Sequence, residues 1–150
     1  MKANKHLLLW SSVAALAALI WAAGQENFFR DWRMIQQAMR AALPASQAAG
    51  FDIQLRQIVS RDLGSTDRCV SCHVGMVPGE AGIDGHRRYG RHPDVVHDPG
   101  SFGCTVCHGG QGRATDTADA HGHVPHWPAP MLPKEYLFAG CGSCHSHLSV

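Results

Sequence analysis

The pattern Cys-x-x-Cys-His occurs three times in this chain: Cys69-Val70-Ser71-Cys72-His73, Cys104-Thr105-Val106-Cys107-His108 and Cys141-Gly142-Ser143-Cys144-His145. All six cysteines are used in these copies. The spacing is that of covalent c-type haem attachment. Two thiols three positions apart reach the two vinyl groups on one porphyrin edge. The next histidine then offers a neutral imidazole to the iron from below. Zinc would use the Cys pairs in twos and has no need of the adjacent histidine. Three disulfides would leave that histidine unexplained three times. The reading is therefore three covalently bound haem c groups, attached at Cys69, Cys72, Cys104, Cys107, Cys141 and Cys144, with His73, His108 and His145 as proximal iron ligands.

Composition points the same way. From Gly64 to Val150, 14 of 87 residues are Leu, Ile, Val or Phe, below the roughly 20% that marks a chain unable to collapse on its own. The same stretch holds seven of the eight prolines. Apolar macrocycles would supply the surface that such a segment lacks to offset its conformational entropy. The expected fold is mainly α with extensive irregular loops. It comprises an N-terminal transmembrane helix and a small multihaem cytochrome c domain packed around three haems. The expected segments are a membrane anchor at 1–24, an amphipathic helix and connector at 25–63, and the trihaem domain at 64–150. The near-balanced charge of +1 gives no reason to expect nucleic acid.

The anchor reading rests on Leu7 to Ala23, an uncharged run behind Lys2 and Lys5 and interrupted only by Ser11 and Ser12. Its length suits a bilayer span better than the shorter core of a cleaved signal. Trp10 and Trp21 near its ends suit the two interfaces. Ala22-Ala23-Gly24 is the cleavage site that the alternative would use. Arg30, Arg33 and Arg40 follow the run closely, so the positive-inside rule is weak here. Haem attachment takes place outside the cytoplasm, and this sets the orientation: a cytoplasmic-membrane protein held by one N-terminal helix, with its haem domain on the periplasmic side.

Between Gln25 and Leu43 no Gly or Pro intervenes, so the membrane helix is expected to run on until Pro44 stops it. Phe28, Trp32, Ile35 and Met39 fall on one helical face. Packing on the chain's own haem domain is one use for that stripe. Docking on a partner subunit or the membrane surface is favoured, because the haem domain offers few apolar side chains to receive it. Residues 45–63 fit strand and helix about equally well.

Each iron needs a sixth ligand or an open site. Seven further histidines lie in the domain: His86, His92, His97, His121, His123, His126 and His147. So large a surplus favours bis-histidine ligation. The candidate distal ligands are His92 and His97, in the Pro-containing turns His-Pro-Asp and His-Asp-Pro, and His121 and His126, which flank a short loop ending at Trp127-Pro128. Met76 and Met131 are the thioether alternatives. His147 is too close to His145 to serve the same haem. Gly109, Gly110 and Gly112 would let the backbone lie against a porphyrin face.

The stretch Phe102-Gly103-Cys104-Thr105-Val106-Cys107-His108-Gly109-Gly110-Gln111-Gly112-Arg113-Ala114-Thr115, together with Asp67-Arg68-Cys69, Ala120-His121-Gly122 and His126-Trp127-Pro128, resembles a group of membrane-anchored multihaem (trihaem) cytochromes c. The resemblance covers roughly residues 50–147. It implies an electron-transfer subunit on the outer face of an energy-transducing membrane, beside a quinone-reactive or cytochrome b partner, and it implies a role for His121 and His126. Small one-anchor quinol dehydrogenases fit less well, since they usually carry four or more haems. The trihaem subunit of a sulfite-reductase-associated membrane complex uses a distal cysteine, and this chain has no spare one.

The expected function is electron transfer from a membrane-embedded redox subunit, quinone-linked or cytochrome b-type, to a periplasmic electron carrier, more as an electron-transfer protein than a stand-alone enzyme. The lipid bilayer is engaged through the N-terminal helix. The competing reading is a haem enzyme with one open-coordination haem acting on a small oxyanion or nitrogen oxide.

Overall fold

The computed structural model describes residues 2–76 and 79–147. Pro78, expected in the turn after the first motif, lies outside them, and so does the side chain of Lys2. The chain is mainly helical and divides into two compact units, Met1–Arg30 and Asp31–Val150.

The first unit is one helix, α1 (Lys2–Phe28). Leu7, Leu8, Leu9, Trp10, Val13, Leu16, Leu19, Ile20 and Trp21 are all exposed, so the helix is apolar on every side, as a lipid-facing span is. The hydroxyl of Ser11 donates to the carbonyl of Leu8 at 3.0 Å, which satisfies a polar group inside the apolar run. At 1.5 Å per residue, 27 residues reach about 40 Å, longer than the roughly 30 Å hydrocarbon layer. The helix is long and apolar enough to cross a membrane.

The helix expected to continue to Leu43 does not. Phe29 and Arg30 are non-helical, and α2 (Asp31–Ala42) starts afresh with the acidic side chain of Asp31 in its first turn, where a helix N-terminus favours negative charge.

In the second unit, α2 is followed by α3 (Ala45–Ala48), which begins after Pro44. The ambiguous stretch 45–63 thus resolves into a single helical turn, an extended segment and a strand. The strand β1 (Ile58–Ser60) pairs antiparallel with β2 (Ser65–Asp67), Ile58 opposite Asp67 and Ser60 opposite Ser65. Gly64 adopts φ 60° at the turn between them, a conformation open to glycine. Beyond the hairpin no described helix exceeds four residues. The first motif forms a 3-10 turn (Cys69–Ser71). Then come α4 (Pro99–Phe102), α5 (Thr105–His108), α6 (Thr117–Ala120), a 3-10 turn (Lys134–Tyr136) and α7 (Phe138–Cys141).

The aromatic stripe on α2 is buried within its own unit, and the docking expectation is overturned. Trp32, Ile35 and Met39 are buried, whereas Phe28 belongs to the other unit and is exposed. Ile35, Met39, Leu43, Phe51, Val74 and Tyr89 form one cluster, with Cys72 packed against it. Its receiving residues come from the connector and from around the first motif. A count of apolar side chains after Gly64 could not reveal a core assembled largely from residues before it.

A buried glutamine fixes this cluster. Gln36 has no exposed surface. Its Nε2 donates to the carbonyls of Gln54 (2.9 Å) and Ser71 (2.8 Å), and its Oε1 accepts from the backbone N–H of Gln54 (3.0 Å) and from Arg56 (2.8 Å). The amide is therefore fully used, and it ties α2 directly to the first motif. The phenol of Tyr89 adds a second tie by donating to the Ile35 carbonyl at 3.1 Å.

Candidate functional site

The five-residue motifs are held by local hydrogen bonds. Each histidine N–H returns to its first cysteine: His73 to Cys69 (2.9 Å), His108 to Cys104 (2.9 Å) and His145 to Cys141 (2.8 Å). Both thiols and the imidazole of each copy are thus carried on one turn, as a short pattern dictates.

The non-local arrangement is the more informative part. Each motif histidine faces one histidine from elsewhere. The ring centres of His73 and His121 are 6.4 Å apart, those of His108 and His92 6.1 Å, and those of His145 and His97 5.8 Å. Two imidazoles on one metal each place a nitrogen about 2 Å from it, with the ring centre about 1 Å further back, so their centres lie about 6 Å apart. All three separations match that figure. The ring planes meet at 36°, 77° and 33° respectively.

Local structure presents these facing histidines. His121 sits at the C-terminal cap of α6, whose N-terminus is held twice: the Asp116 side chain accepts from Ala118 N–H (3.1 Å) and Asp31 accepts from Thr117 N–H (2.9 Å). His97 directly precedes Asp98, which caps α4 through Gly100 N–H (3.1 Å) and the Ser101 hydroxyl (2.7 Å). His92 donates from Nδ1 to the carbonyl of Pro93 at 2.7 Å. A carbonyl can only accept, so Nδ1 bears the proton and Nε2 keeps its lone pair free for a metal.

The same reasoning removes His86. Its Nδ1 accepts from the N–H groups of Arg88 (3.2 Å) and Tyr89 (3.1 Å), which places the proton of the neutral ring on Nε2. The ring also stacks on Tyr89 at 4.4 Å. His126, a sequence candidate, is exposed at φ 64° and has no ring partner among the described residues. His123 and His147 lie edge-on to His121 and His145. His147 is two residues from His145, and about 7 Å of chain cannot carry it round a macrocycle to the opposite face.

Electrostatics favour neutral rings. Burial lowers the pKa of His73, and the neighbouring charge of His121 adds to this. Burial lowers His108, helped by His92. Burial lowers His121, helped by His123. Only a neutral imidazole ligates. His73 Nδ1 is buried without a well-formed hydrogen bond, and the Arg88 backbone is the neighbour that favours its proton. The Cys72 thiol is pushed up to about 11, first by burial and then by Asp31.

The motifs also touch one another. Asp67, Cys69 and Cys104 bring three donor atoms within 4.8 Å of one another, a set able to hold a metal. Hydrogen bonding to Cys104 and burial both raise the pKa of the Cys69 thiol. A closed zinc site takes four ligands, and the Asp67 oxygens are already engaged: Oδ2 accepts from Cys104 N–H (3.0 Å) and from the Thr105 hydroxyl (2.9 Å). Motifs two and three meet where α5 and α7 pack. A Cβ on Gly140 would collide with the Cys107 carbonyl.

The glycines after the second motif lie close to other segments of the polypeptide. A Cβ on Gly109 would strike the Pro130 carbonyl, one on Gly110 would lie 2.6 Å from the Ala120 carbonyl, and one on Gly112 would lie 2.7 Å from Asp67 Oδ1. They allow close backbone packing within the polypeptide. In the sequence Asp67 stands out only within the resemblance, and its place as a joint between two motifs emerges in the fold. An acidic residue two positions before a Cys-x-x-Cys-His was the available signal. No family model matches the chain, and no curated protein or solved structure matches it either.

Proposed function

We propose that this chain is a membrane-anchored trihaem cytochrome c that passes electrons between a membrane-bound donor, quinone-linked or cytochrome b-type, and a periplasmic acceptor, as a subunit of a larger complex. The observation that carries the reading is the triple opposition of histidines at about 6 Å, one pair for each Cys-x-x-Cys-His. Cys69 and Cys72, Cys104 and Cys107, and Cys141 and Cys144 would hold the three haems covalently. The histidines that would ligate the irons are His73 with His121, His108 with His92, and His145 with His97.

Bound haem c supplies one-electron Fe(III)/Fe(II) chemistry. The residues of this chain would supply two neutral imidazoles per iron, fix the tautomer of His92 through the Pro93 carbonyl, and set the distance between attachment points through Cys69 beside Cys104 and α5 against α7. α1 anchors the assembly in the membrane. Haem attachment outside the cytoplasm puts the second unit on the periplasmic side. The enzyme reading needs one motif histidine without a facing partner, and each of the three has one.

Intact mass and haem staining of the purified membrane protein test the reading. The expected result is the polypeptide mass plus three haems, with all-low-spin EPR signals in the oxidised state. A bare polypeptide mass overturns it. A high-spin haem that binds nitrite, sulfite or NO moves the enzyme reading to first place.

A further inference from the structure

Asp67 is the one fully buried acidic side chain of the described core, and it belongs to neither an axial pair nor a thioether. Its neighbours come from two motifs. It accepts from Cys104 N–H (3.0 Å), Thr105 N–H (3.2 Å) and Thr105 Oγ1 (2.9 Å) in the second motif, and from Cys69 Sγ (3.2 Å) in the first. Every one of these donors is uncharged. Arg68, the next residue, turns its guanidinium to Gln57 and to the Arg113 carbonyl instead. The space around the carboxylate is closed on both sides: a Cβ on Gly103, at φ 81°, would collide with Oδ2, and one on Gly112 would lie 2.7 Å from Oδ1. Gly112 is held in place because its carbonyl accepts from Arg68 N–H at 2.6 Å.

We propose that Asp67 is a positioning residue shared by the first two haem sites, which pins the second attachment turn to the first and biases both irons toward the ferric state by its buried charge. The inference rests on the trihaem reading above. A carboxylate with no counter-cation among the described residues, out of water and next to one thioether sulfur from each site, stabilises the more positive oxidation state of each iron. Once Cys69 is a thioether it donates nothing, so the backbone N–H groups and the Thr105 hydroxyl alone offset that charge. The third site is attached through Cys141 and Cys144, neither of which contacts Asp67, so its iron should not feel the charge comparably.

Potentiometric titration of the full-length haem-loaded protein, followed by absorbance and EPR, tests this. Each iron takes one electron from a dithionite-poised mediator. The third haem is identified beforehand as the one turned high-spin by His97→Ala. In Asp67→Asn two of the three midpoint potentials should rise while the third stays put. Thr105→Val removes a donor and keeps the charge, so the same two should fall, by less. Potentials unchanged in Asp67→Asn, or all three moving alike, overturn the proposal. Where Asp67→Asn does not accumulate with three haems, Thr105→Val decides: a fall confined to two haems supports the proposal, and unmoved potentials overturn it. A wild-type protein without haem fails the trihaem reading instead, and intact mass shows this before any variant is made.

Discussion

The first and third motifs share a pattern but not a setting. In the first, the two intervening residues Val70 and Ser71 are 3% and 1% exposed. Ser71 is held from both sides: its Oγ donates to the Arg56 carbonyl (2.6 Å) and accepts from Arg56 N–H (2.8 Å), and its own carbonyl accepts from Gln36. Cys72 packs on the α2 cluster. In the third motif, Gly142, Ser143 and Cys144 are exposed, and so is Phe138 at 84%. Its contacts are mainly the approach of α7 to α5 and the His97 ring. One motif is thus held by protein packing, and the other leans on its facing histidine. The sequence around a Cys-x-x-Cys-His therefore says little about how firmly the polypeptide itself holds that turn.

The largest expected effect strikes the packed end. Gln36→Ala takes the donor from the buried Ser71 carbonyl, removes one partner each from the Gln54 carbonyl, the Gln54 N–H and the Arg56 guanidinium, and leaves the space of a fully buried side chain unfilled. The cost should be about 3–5 kcal/mol. Denaturant unfolding followed by tryptophan fluorescence measures it, and Phe138→Ala should cost well under about 1 kcal/mol by comparison. Equal losses at the two ends would mean that the two motifs are held alike.

A middle-sized effect sharpens it. His121→Ala and His97→Ala should each turn one haem high-spin without releasing it, because the thioethers remain. His97→Ala should also expose residues 134–147 to limited proteolysis several-fold faster, since the packing of α7 on α5 is then the main contact left to hold them. His121→Ala should leave the first motif protected by α2. His147→Ala should change neither spectrum nor cleavage. Equal protection of the C-terminal segment in wild type and His97→Ala would break the comparison.

The smallest effect concerns the cap beside His97. Hydrogen bonds from Ser101 and Gly100 lower the pKa of Asp98 below the ordinary carboxylate value of 3.8. A depressed carboxylate contributes stability that is present above 3.8 and is lost as pH falls through the lower folded value. Acidification below about pH 4 should therefore fray α4 and loosen the His97–His145 pair first. Asp98→Ala should produce a weak version of the same change at neutral pH. EPR of the third haem across pH 3–7 follows it.

The wrong turns in reading the sequence share a cause. The stripe Trp32, Ile35, Met39 was legible as a helical face. Its partner was not, because Phe51, Val74 and Tyr89 are scattered over residues that look like connector and loop. Uninterrupted helical composition from Gln25 to Leu43 gave no hint of the break at Phe29–Arg30. The region of glycines after the second motif was visible, but what approaches them (the Pro130 and Ala120 carbonyls and the Asp67 carboxylate) depends on chain segments up to 45 residues away.

What the sequence determined by itself is what fits within one turn or one uninterrupted run. Two thiols and an imidazole within five residues must share a turn, and an apolar run of 17 residues makes a helix fit to span a bilayer. Only the tertiary structure decided which histidine stands opposite which. His121 follows the second motif yet faces the first, and His97 precedes the second yet faces the third. It also decided that Asp67 links two motifs. Such pairings depend on how loops of a weakly apolar chain close over long separations, and no local spacing records that closure.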